Sequence, residues 1–99
     1  MRLTSADQLT IRTTIAELFG PQARVVLFGS RTDDSARGGD IDLLVELPHA
    51  EQSPVLIGAR IVAELQMALG DQRIDVVVAA PNLPEQTIHR IARQTGISL

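Results

Sequence analysis

Three short runs rich in Val, Ile and Leu constrain the fold of this chain more than any other feature. They span residues 24–28, 40–47 and 73–78, and the second reads DIDLLVEL. Short runs of this kind, bounded by Gly or Pro, are typical of strands. The second run also alternates, because all of its acidic residues fall on one face while Ile, Leu, Val and Leu occupy the other. The chain is therefore expected to build a small sheet.

Segments with helical periodicity separate these runs. Residues 5–19 predict an amphipathic helix, opened by a capping-box pattern at Ser5 and Gln8 and ended by a Gly-Pro pair. A second helix is expected to begin at Pro54, directly after a Ser that can cap it, and to close at Gly70. Both helices carry enough apolar side chains on one face to cover a sheet.

A last helix is expected between Pro84 and Gly96. Its apolar side is predicted to consist of Ile88, Ile91, Ala92 and Thr95. Arg90 and Arg93 would form the opposite polar face or edge a partner interface. The order helix, strand, strand, helix, strand, helix predicts an α/β (α+β) fold, in which a small mixed β-sheet of about three to four strands packs against helices. Residues 1–99 are expected to form one domain.

The composition excludes several classes of chemistry. The chain has no Cys, no Lys and no Tyr, and all nine of its cations are Arg. Disulfides, thiolate zinc sites and Schiff-base catalysis are therefore excluded. A net charge of −3 argues against broad nucleic-acid binding. No apolar run approaches the roughly 18 residues of a membrane span, and the N-terminal residues lack a signal-peptide pattern, so a cytoplasmic protein without membrane contact is expected.

A Gly-Ser-Arg sequence follows the first strand directly. Gly29 allows a sharp turn and lets a phosphate approach the backbone without a Cβ in the way. Backbone N–H groups, the Ser30 hydroxyl and the Arg31 guanidinium can all donate hydrogen bonds to phosphate oxygens. In isolation this signal is weak, because a Gly-Ser pair after a strand is usually a plain turn.

Two carboxylates stand at alternate positions of the second strand. Asp40 and Asp42 point to the same face, with Cα atoms about 6.6 Å apart. Magnesium prefers oxygen ligands and is commonly held by one or two carboxylates together with substrate phosphates. A solvated strand face is the alternative, although neighbouring like charges are unfavourable unless a cation relieves them.

A third carboxylate lies inside the last apolar run. Asp75 is flanked by Ile74 and Val76, where an unpaired charge is costly to bury. A salt bridge to Arg73 or another Arg would explain it. If its strand lies beside that of Asp42, however, three acids share one face, and such a set can hold the metal pair used in phosphoryl transfer.

These motifs together resemble the signature of the polymerase-beta-like nucleotidyltransferases. The resemblance rests on Leu27-Phe28-Gly29-Ser30, a nine-residue spacer, Asp40-Ile41-Asp42-Leu43 and the later Asp75. The short chain is similar to the minimal nucleotidyltransferases of toxin–antitoxin pairs with HEPN-type proteins. One departure is Gly39, since many relatives carry Ser immediately before Asp-x-Asp.

The resemblance implies a role for each matched residue. Gly29 and Ser30 would hold the β- and γ-phosphates of a nucleoside triphosphate, with Arg31 assisting. Asp40 and Asp42 would bind two Mg²⁺ ions. Asp75 would bind the ion beside the acceptor hydroxyl and favour its deprotonation.

The resemblance also implies an activity and a partner. The expected reaction is Mg²⁺-dependent transfer of NMP, with AMP from ATP favoured, to a hydroxyl of a partner protein. The expected partner is a helical HEPN-type toxin, so that the chain would act as an antitoxin. Because the chain has no Tyr, a tyrosine acceptor would have to lie on another molecule. An oligomer is also compatible with so small a core.

Two other functions stay open at this point. The chain could neutralise a HEPN-type toxin by contact alone, with a weak nucleotide site. It could also transfer a nucleotidyl group to a small molecule, although relatives that do so usually carry an additional domain. The complete set of acids favours the enzyme over the contact module.

The remaining polar residues are expected to have simpler roles. His49 and His89 lack metal-ligand spacing and predict surface or capping positions. Glu46 shares the face of the acids but lies near the strand end, where solvation is favoured. Within the spacer, Asp33, Asp34 and Arg37 are expected to be solvated loop charges.

Overall fold

The described part of the chain alternates helices and strands in the predicted order. A computed structural model describes residues 3–33 and 39–99, so Asp34 and Arg37 lie outside the described residues. The elements are α1 (Ser5–Phe19), β1 (Arg24–Phe28), a 3-10 helix (Gly29–Thr32), β2 (Ile41–Glu46), α2 (Pro54–Leu69), β3 (Ile74–Ala79), α3 (Thr87–Thr95) and β4 (Ile97–Ser98). Among these residues, no helix combines the length and the apolar character needed to cross a membrane.

The strands form one mixed sheet in the order β3-β2-β1-β4. β1 pairs antiparallel with both β2 and β4, whereas β2 pairs parallel with β3. A parallel pair needs a long crossover connection, and α2 supplies it. The predicted α+β class, with a mixed sheet packed against helices, is confirmed. The sequence pattern does not predict the short β4, since two residues carry too little periodicity to be recognised.

The face of the sheet that carries Leu27, Leu43 and Val45 is buried beneath α1 and α2. Ile11 and Ile15 of α1 and the apolar stripe of α2 pack there, and the core of the protein lies between these layers. The other face is covered in part by α3, where Ala92 packs against a smaller apolar cluster that consists of Phe28, Leu44, Ala79, Val26 and Val77. One end of this second face therefore stays accessible.

The cap of α1 lies one residue earlier than the sequence pattern predicts. Thr4, not Ser5, is the N-cap, and its Oγ1 accepts a hydrogen bond of 3.0 Å from the backbone N–H of Asp7. Gln8 donates from its side chain to the carbonyl of Leu3 instead of completing a box with Ser5. Thr and Ser are both good N-caps, so two adjacent candidates cannot be ranked by residue type alone.

The buried side of α3 differs from the predicted one. His89 and Ala92 face the protein, whereas Ile88 and Ile91 are 36% and 46% exposed. The prediction that both isoleucines pack inward is wrong. A small side chain such as Ala92 lets the helix approach the sheet closely, and the branched residues then fall at the border of the contact.

His89 caps the helix on which it lies, which confirms the capping alternative and excludes the surface one. Its Nδ1 accepts a hydrogen bond of 3.0 Å from the backbone N–H of Gln86, the N-cap residue. This acceptor role places the ring proton on Nε2. The imidazole is also 5% exposed, so it contributes to packing as well as to the cap.

We expect His89→Ala to destabilise the protein by about 1–2 kcal/mol, because the variant loses a helix cap and a buried ring. For a domain of this size, 1 kcal/mol corresponds to a shift in Tm of about 4–8 °C. Thermal unfolding followed by circular dichroism measures the effect, with the exposed Arg90→Ala on the same helix as control. Equal Tm values for the two variants would contradict the capping role.

Glu46 is not simply solvated as the sequence suggests. Its Oε1 accepts a hydrogen bond of 3.2 Å from Nε of Arg93, and Arg93 also contacts Glu85 through Nη1. All three side chains are partly exposed, so the network is expected to stabilise the fold only modestly. It joins α3 to the end of β2 that lies away from Asp42.

Candidate active site

The topology gathers the predicted site residues at one end of the sheet. β1 ends where β2 begins because the two strands are antiparallel, and β3 begins beside them because it is parallel to β2. In the register of the sheet, Phe28 is opposite Asp42, and Asp42 is opposite Asp75. The Gly-Ser turn after β1 and the carboxylates of β2 and β3 therefore meet at one end of neighbouring strands.

Asp42 and Asp75 lie side by side in this row. Neighbouring strands are about 4.8 Å apart, and the two carboxyl groups lie close enough that Asp75 helps to raise the pKa of Asp42. Asp42 is half-buried, whereas Asp75 is exposed. The pKa of Asp42 is raised above its ordinary value, first by burial and then by the negative charges of Asp75 and Asp40. The cluster is thus a site where negative charge is unfavourable until a cation or a proton compensates it.

Asp40 has a different environment from its two neighbours. It forms an ion pair of 3.7 Å with Nε of Arg73, whose side chain is 87% exposed. The salt bridge that the sequence suggested for Asp75 is therefore made by Asp40. Such an exposed pair contributes little stability and leaves the carboxylate free to exchange partners.

Gly29 occupies a position that no other residue fits without strain. Its φ is +76°, in the region that favours glycine, and a Cβ built there would collide with Oδ2 of Asp42 and lie 3.2 Å from its Cγ. The sequence predicts that Gly29 keeps space for a phosphate. The structure shows that the same missing Cβ also leaves room for the carboxylate of Asp42.

Ser30 and Arg31 belong to the 3-10 helix that starts at Gly29. Ser30 is exposed beside the cluster, and Thr32 stabilises the turn by donating from Oγ1 to the carbonyl of Gly29 at 2.7 Å. Nε of Arg31 donates to the carbonyl of Gly39 at 3.3 Å. Arg31 therefore ties the turn after β1 to the residue that precedes Asp40.

Gly39 and Arg73 also belong to this site, but the sequence did not predict what either residue does there. Gly39 has a φ of +93°, so glycine here serves the backbone conformation that leads into Asp40. The position where many relatives carry Ser thus has its own conformational requirement in this chain. The Gly-Gly pair before the strand is the sequence signal that could have indicated the unusual backbone at Gly39. The pairing of Arg73 with Asp40 has no such signal, because it depends on strand register.

The carboxylates fit a divalent cation in chemistry but do not form a closed cage. Within residues 3–33 and 39–99, no group of three or more His, Cys, Asp or Glu side chains is assembled in a way that could hold a metal ion. Asp42 nevertheless lies beside Asp75, and the negative charge of Asp40 helps to raise its pKa. Magnesium sites that handle phosphates are commonly completed by the phosphates themselves. The arrangement therefore suits metal ions that arrive with a nucleotide.

Fold and site together define a class of protein. A mixed sheet that brings a turn beginning at Gly29 beside aligned carboxylates offers the kinds of groups that bind phosphates and divalent cations. Residues 10–95 match the nucleotidyltransferase domain family, and the chain belongs to that family. No match to a curated protein was found. The predicted superfamily and the general reaction, nucleotidyl transfer, are thereby confirmed, and the α+β architecture agrees with the polymerase-beta-like fold.

Proposed function

We propose that this chain is a Mg²⁺-dependent nucleotidyltransferase that moves AMP from ATP to a hydroxyl of a partner protein. The single observation that carries the proposal is the row formed by Gly29, Asp42 and Asp75 at one end of the sheet. It is supported by the match of residues 10–95 to the nucleotidyltransferase domain family. The adenine nucleotide and the protein acceptor come from the resemblance to minimal nucleotidyltransferases.

The turn after β1 is proposed to receive the triphosphate. The exposed Ser30 hydroxyl and the backbone N–H groups of the turn can donate hydrogen bonds to the β- and γ-phosphates. Gly29 allows those oxygens to approach the backbone closely. Arg31 would supply positive charge nearby while it holds the carbonyl of Gly39. These contacts would fix the α-phosphate in front of the acidic cluster.

The three carboxylates are proposed to hold two Mg²⁺ ions, with Asp40 and Asp42 contacting both and Asp75 the one nearer the acceptor. When bound, such ions neutralise the charge that develops on the phosphates and on the attacking oxygen. The raised pKa of Asp42 reflects a repulsion that this binding would relieve. The ion pair with Arg73 would loosen as Asp40 turns toward the ions.

The proposed reaction is a displacement at the α-phosphorus. The acceptor oxygen forms a new P–O bond, the bond between the α- and β-phosphates breaks, and pyrophosphate leaves with the electron pair. Asp75 is exposed on the acceptor side and would take the hydroxyl proton. Positioning and charge neutralisation would supply most of the rate enhancement.

The proposed acceptor is a helical HEPN-type toxin, and the proposed role is that of its antitoxin in the cytoplasm. The chain contains no Tyr, so a tyrosine that is modified would belong to the partner. The described surface has exposed apolar side chains that a partner can cover, among them Val55 and Leu56 on α2.

The test is incubation with α-labelled ATP and Mg²⁺, with and without the protein encoded by the neighbouring reading frame. We expect label on the neighbour, and a loss of about 10³-fold in Asp42→Asn because a metal ligand is removed. Asp71→Asn is the matched control, since Asp71 is exposed and outside the cluster. Neutralisation of the neighbour that persists unchanged in Asp42→Asn, without any label, would instead show a contact antitoxin.

A further inference from the structure

A groove of about 700 Å³ runs along the outer side of β3, between α2 and the segment that leads into α3. Its walls are mostly apolar and include Val55 and Val62 on one side and Leu83 and Ile88 on the other. Asp75 lies in the lining, whereas Asp40 and Asp42 do not, so the groove borders the row of carboxylates at Asp75. The volume is that of a ligand-binding cleft.

The floor of the groove is an unpaired strand edge. β3 is the terminal strand of the sheet, and its bonds to β2 use the backbone of alternate residues, as the contacts of Arg73 and Ala79 with β2 show. The N–H and C=O groups of Ile74, Val76 and Val78 therefore point outward. Within the described residues, no hydrogen bond from another element reaches these groups. Ile74 and Val78 are only 5% and 8% exposed because their side chains pack in the core, but the backbone of an unpaired edge can accept an added strand.

Gly58 of α2 is buried and lines the groove where the helix passes β3. A Cβ at this position would make only ordinary contacts, 3.8 Å from the carbonyl oxygen of Val76 and from Cγ2 of Val78. Neither the packing nor the backbone therefore requires glycine, although glycine costs a helix about 1 kcal/mol relative to alanine. Because Gly58 lines the groove, a larger side chain at this position would narrow the groove above Val76.

The charges of the groove restrict what can occupy it. Asp75 is its only charged residue, and His89, which caps α3, is the only other titratable one among the described residues that line it. No Arg of the described chain lines the groove, so a polynucleotide or another phosphate-rich acceptor would meet no compensating cation. An extended, uncharged polypeptide satisfies both the apolar walls and the unpaired backbone groups.

We infer that this groove docks the acceptor of the transfer reaction as an extended polypeptide segment, which adds to β3 as a further strand and brings a side-chain hydroxyl beside Asp75. The inference rests on the proposed function, because it names the acceptor side of the same site. A residue on the added strand would lie about 4.8 Å from β3, within reach of the Asp75 carboxylate for a Ser, Thr or Tyr side chain. The walls would select apolar side chains on either side of the hydroxyl.

The test uses a library of synthetic hexapeptides that alternate Val and Thr around a central Tyr or Ser, with a terminal Arg pair for solubility. Binding is followed by NMR in the absence of nucleotide. We expect at least 10-fold slower amide exchange at Val76 and Val78, whose N–H groups point outward, when a peptide binds. Peptides with alternate amides N-methylated, so that they cannot pair with the edge, should give no protection.

Variants at Gly58 separate docking from folding. Gly58→Ala should leave the protein folded with a higher Tm, whereas Gly58→Leu should weaken peptide binding at least 10-fold by filling the groove. Ala68→Leu is the matched control, because Ala68 is exposed on α2 outside the groove. If Gly58→Leu does not fold, the comparison of unmodified with N-methylated peptides on the wild-type protein still tests whether the peptide pairs with the strand edge.

Other outcomes would overturn the inference. The first is that no peptide of the library binds, and the second is that the N-methylated peptides protect the edge equally well. The third is protection of the edge that rises with protein concentration alone, which would show that a second copy of the chain binds there. The fourth is displacement of the peptide by ATP. Docking and transfer fail separately. A peptide that binds in the groove but is never labelled would contradict the proposed transfer reaction and not the docking of a peptide. Labelling of the neighbouring protein that persists in Gly58→Leu would contradict docking in the groove and not the transfer reaction.

Discussion

Asp42→Asn is expected to raise the Tm of the ligand-free protein while it lowers nucleotidyl transfer about 10³-fold. The wild-type carboxylate is half-buried and lies beside Asp75 and Asp40, and this environment raises its pKa. A charge held in such a place lowers the stability of the folded state at neutral pH. Asn has nearly the same shape and, unlike the ionised carboxylate, can donate a hydrogen bond to Asp75, so the repulsion is removed without creating a cavity.

The pH dependence of this effect follows from the direction of the pKa shift. A group whose pKa is higher in the folded than in the unfolded state stabilises the fold at low pH, and this contribution is lost as the pH rises through the folded value. The gain in stability from Asp42→Asn should therefore be small near the ordinary Asp value of 3.8 and grow toward neutral pH. Solvent screens part of the repulsion at this half-buried carboxylate. At pH 7 we expect a rise in Tm of a few degrees, which corresponds to less than about 1 kcal/mol.

Thermal unfolding between pH 4 and pH 8 measures this prediction, with Asp71→Asn as the control for removal of an exposed carboxylate. Addition of Mg²⁺ and a non-hydrolysable ATP analogue should reverse the order, because only the wild type gains stability from binding. A Tm difference that is independent of pH would show that the ionised carboxylate of Asp42 is not destabilised by burial or by the neighbouring charges. Such a gain in stability at the expense of activity is typical of a functional site.

The parts of the fold that the sequence predicted are those with a strong local signal. The strands and the first two helices have clear periodicity and Gly or Pro at their ends, and the structure places their bounds within about one residue of the prediction. The last helix exists as predicted, but its rotation does not follow from hydrophobicity. His89 is buried because it caps the helix, and Ile88 is left at the edge of the groove beside β3.

Prediction of the candidate site required the order and register of the strands, which local sequence patterns do not contain. Spacing alone indicated that Asp40 and Asp42 share a strand face, but their juxtaposition with Asp75 required β2 and β3 to be parallel neighbours. The ion pair between Arg73 and Asp40 and the left-handed conformation of Gly39 also arise from that pairing and from the connection that precedes β2. Long-range register carries no local sequence signal, so these features could be tested only in the structure.

Gly29→Ala is the second change from which a large effect is expected. Alanine at a φ of +76° is strained by about 1–2 kcal/mol, and its Cβ would also collide with Oδ2 of Asp42. The carboxylate must then move or the turn must open, and either response disturbs the place proposed for the phosphates. We expect a loss of stability of about 2–4 kcal/mol and a loss of transfer of about 10²-fold or more.

Gly20 and Gly70 provide matched controls for the backbone strain. Their φ values are +91° and +90°, and a Cβ at either position meets nothing within 4 Å. Gly20→Ala and Gly70→Ala should therefore show only the cost of a positive φ, with transfer unchanged. Urea unfolding of the three variants separates the two effects. An equal loss of stability in all of them would mean that the contact with Asp42 has no energetic consequence.

A double-mutant cycle identifies the colliding group. In an Asp42→Ala background the carboxylate is absent, so Gly29→Ala should cost only the strain seen at Gly20 and Gly70. The expected coupling energy is about 1–2 kcal/mol. Asp42→Asn should not relieve the collision, because its side chain occupies the same space, even though it removes the charge. Coupling with the Ala variant but not with the Asn variant would show that Gly29 is needed for the room that it gives to the Asp42 side chain, independently of the charge that this side chain carries.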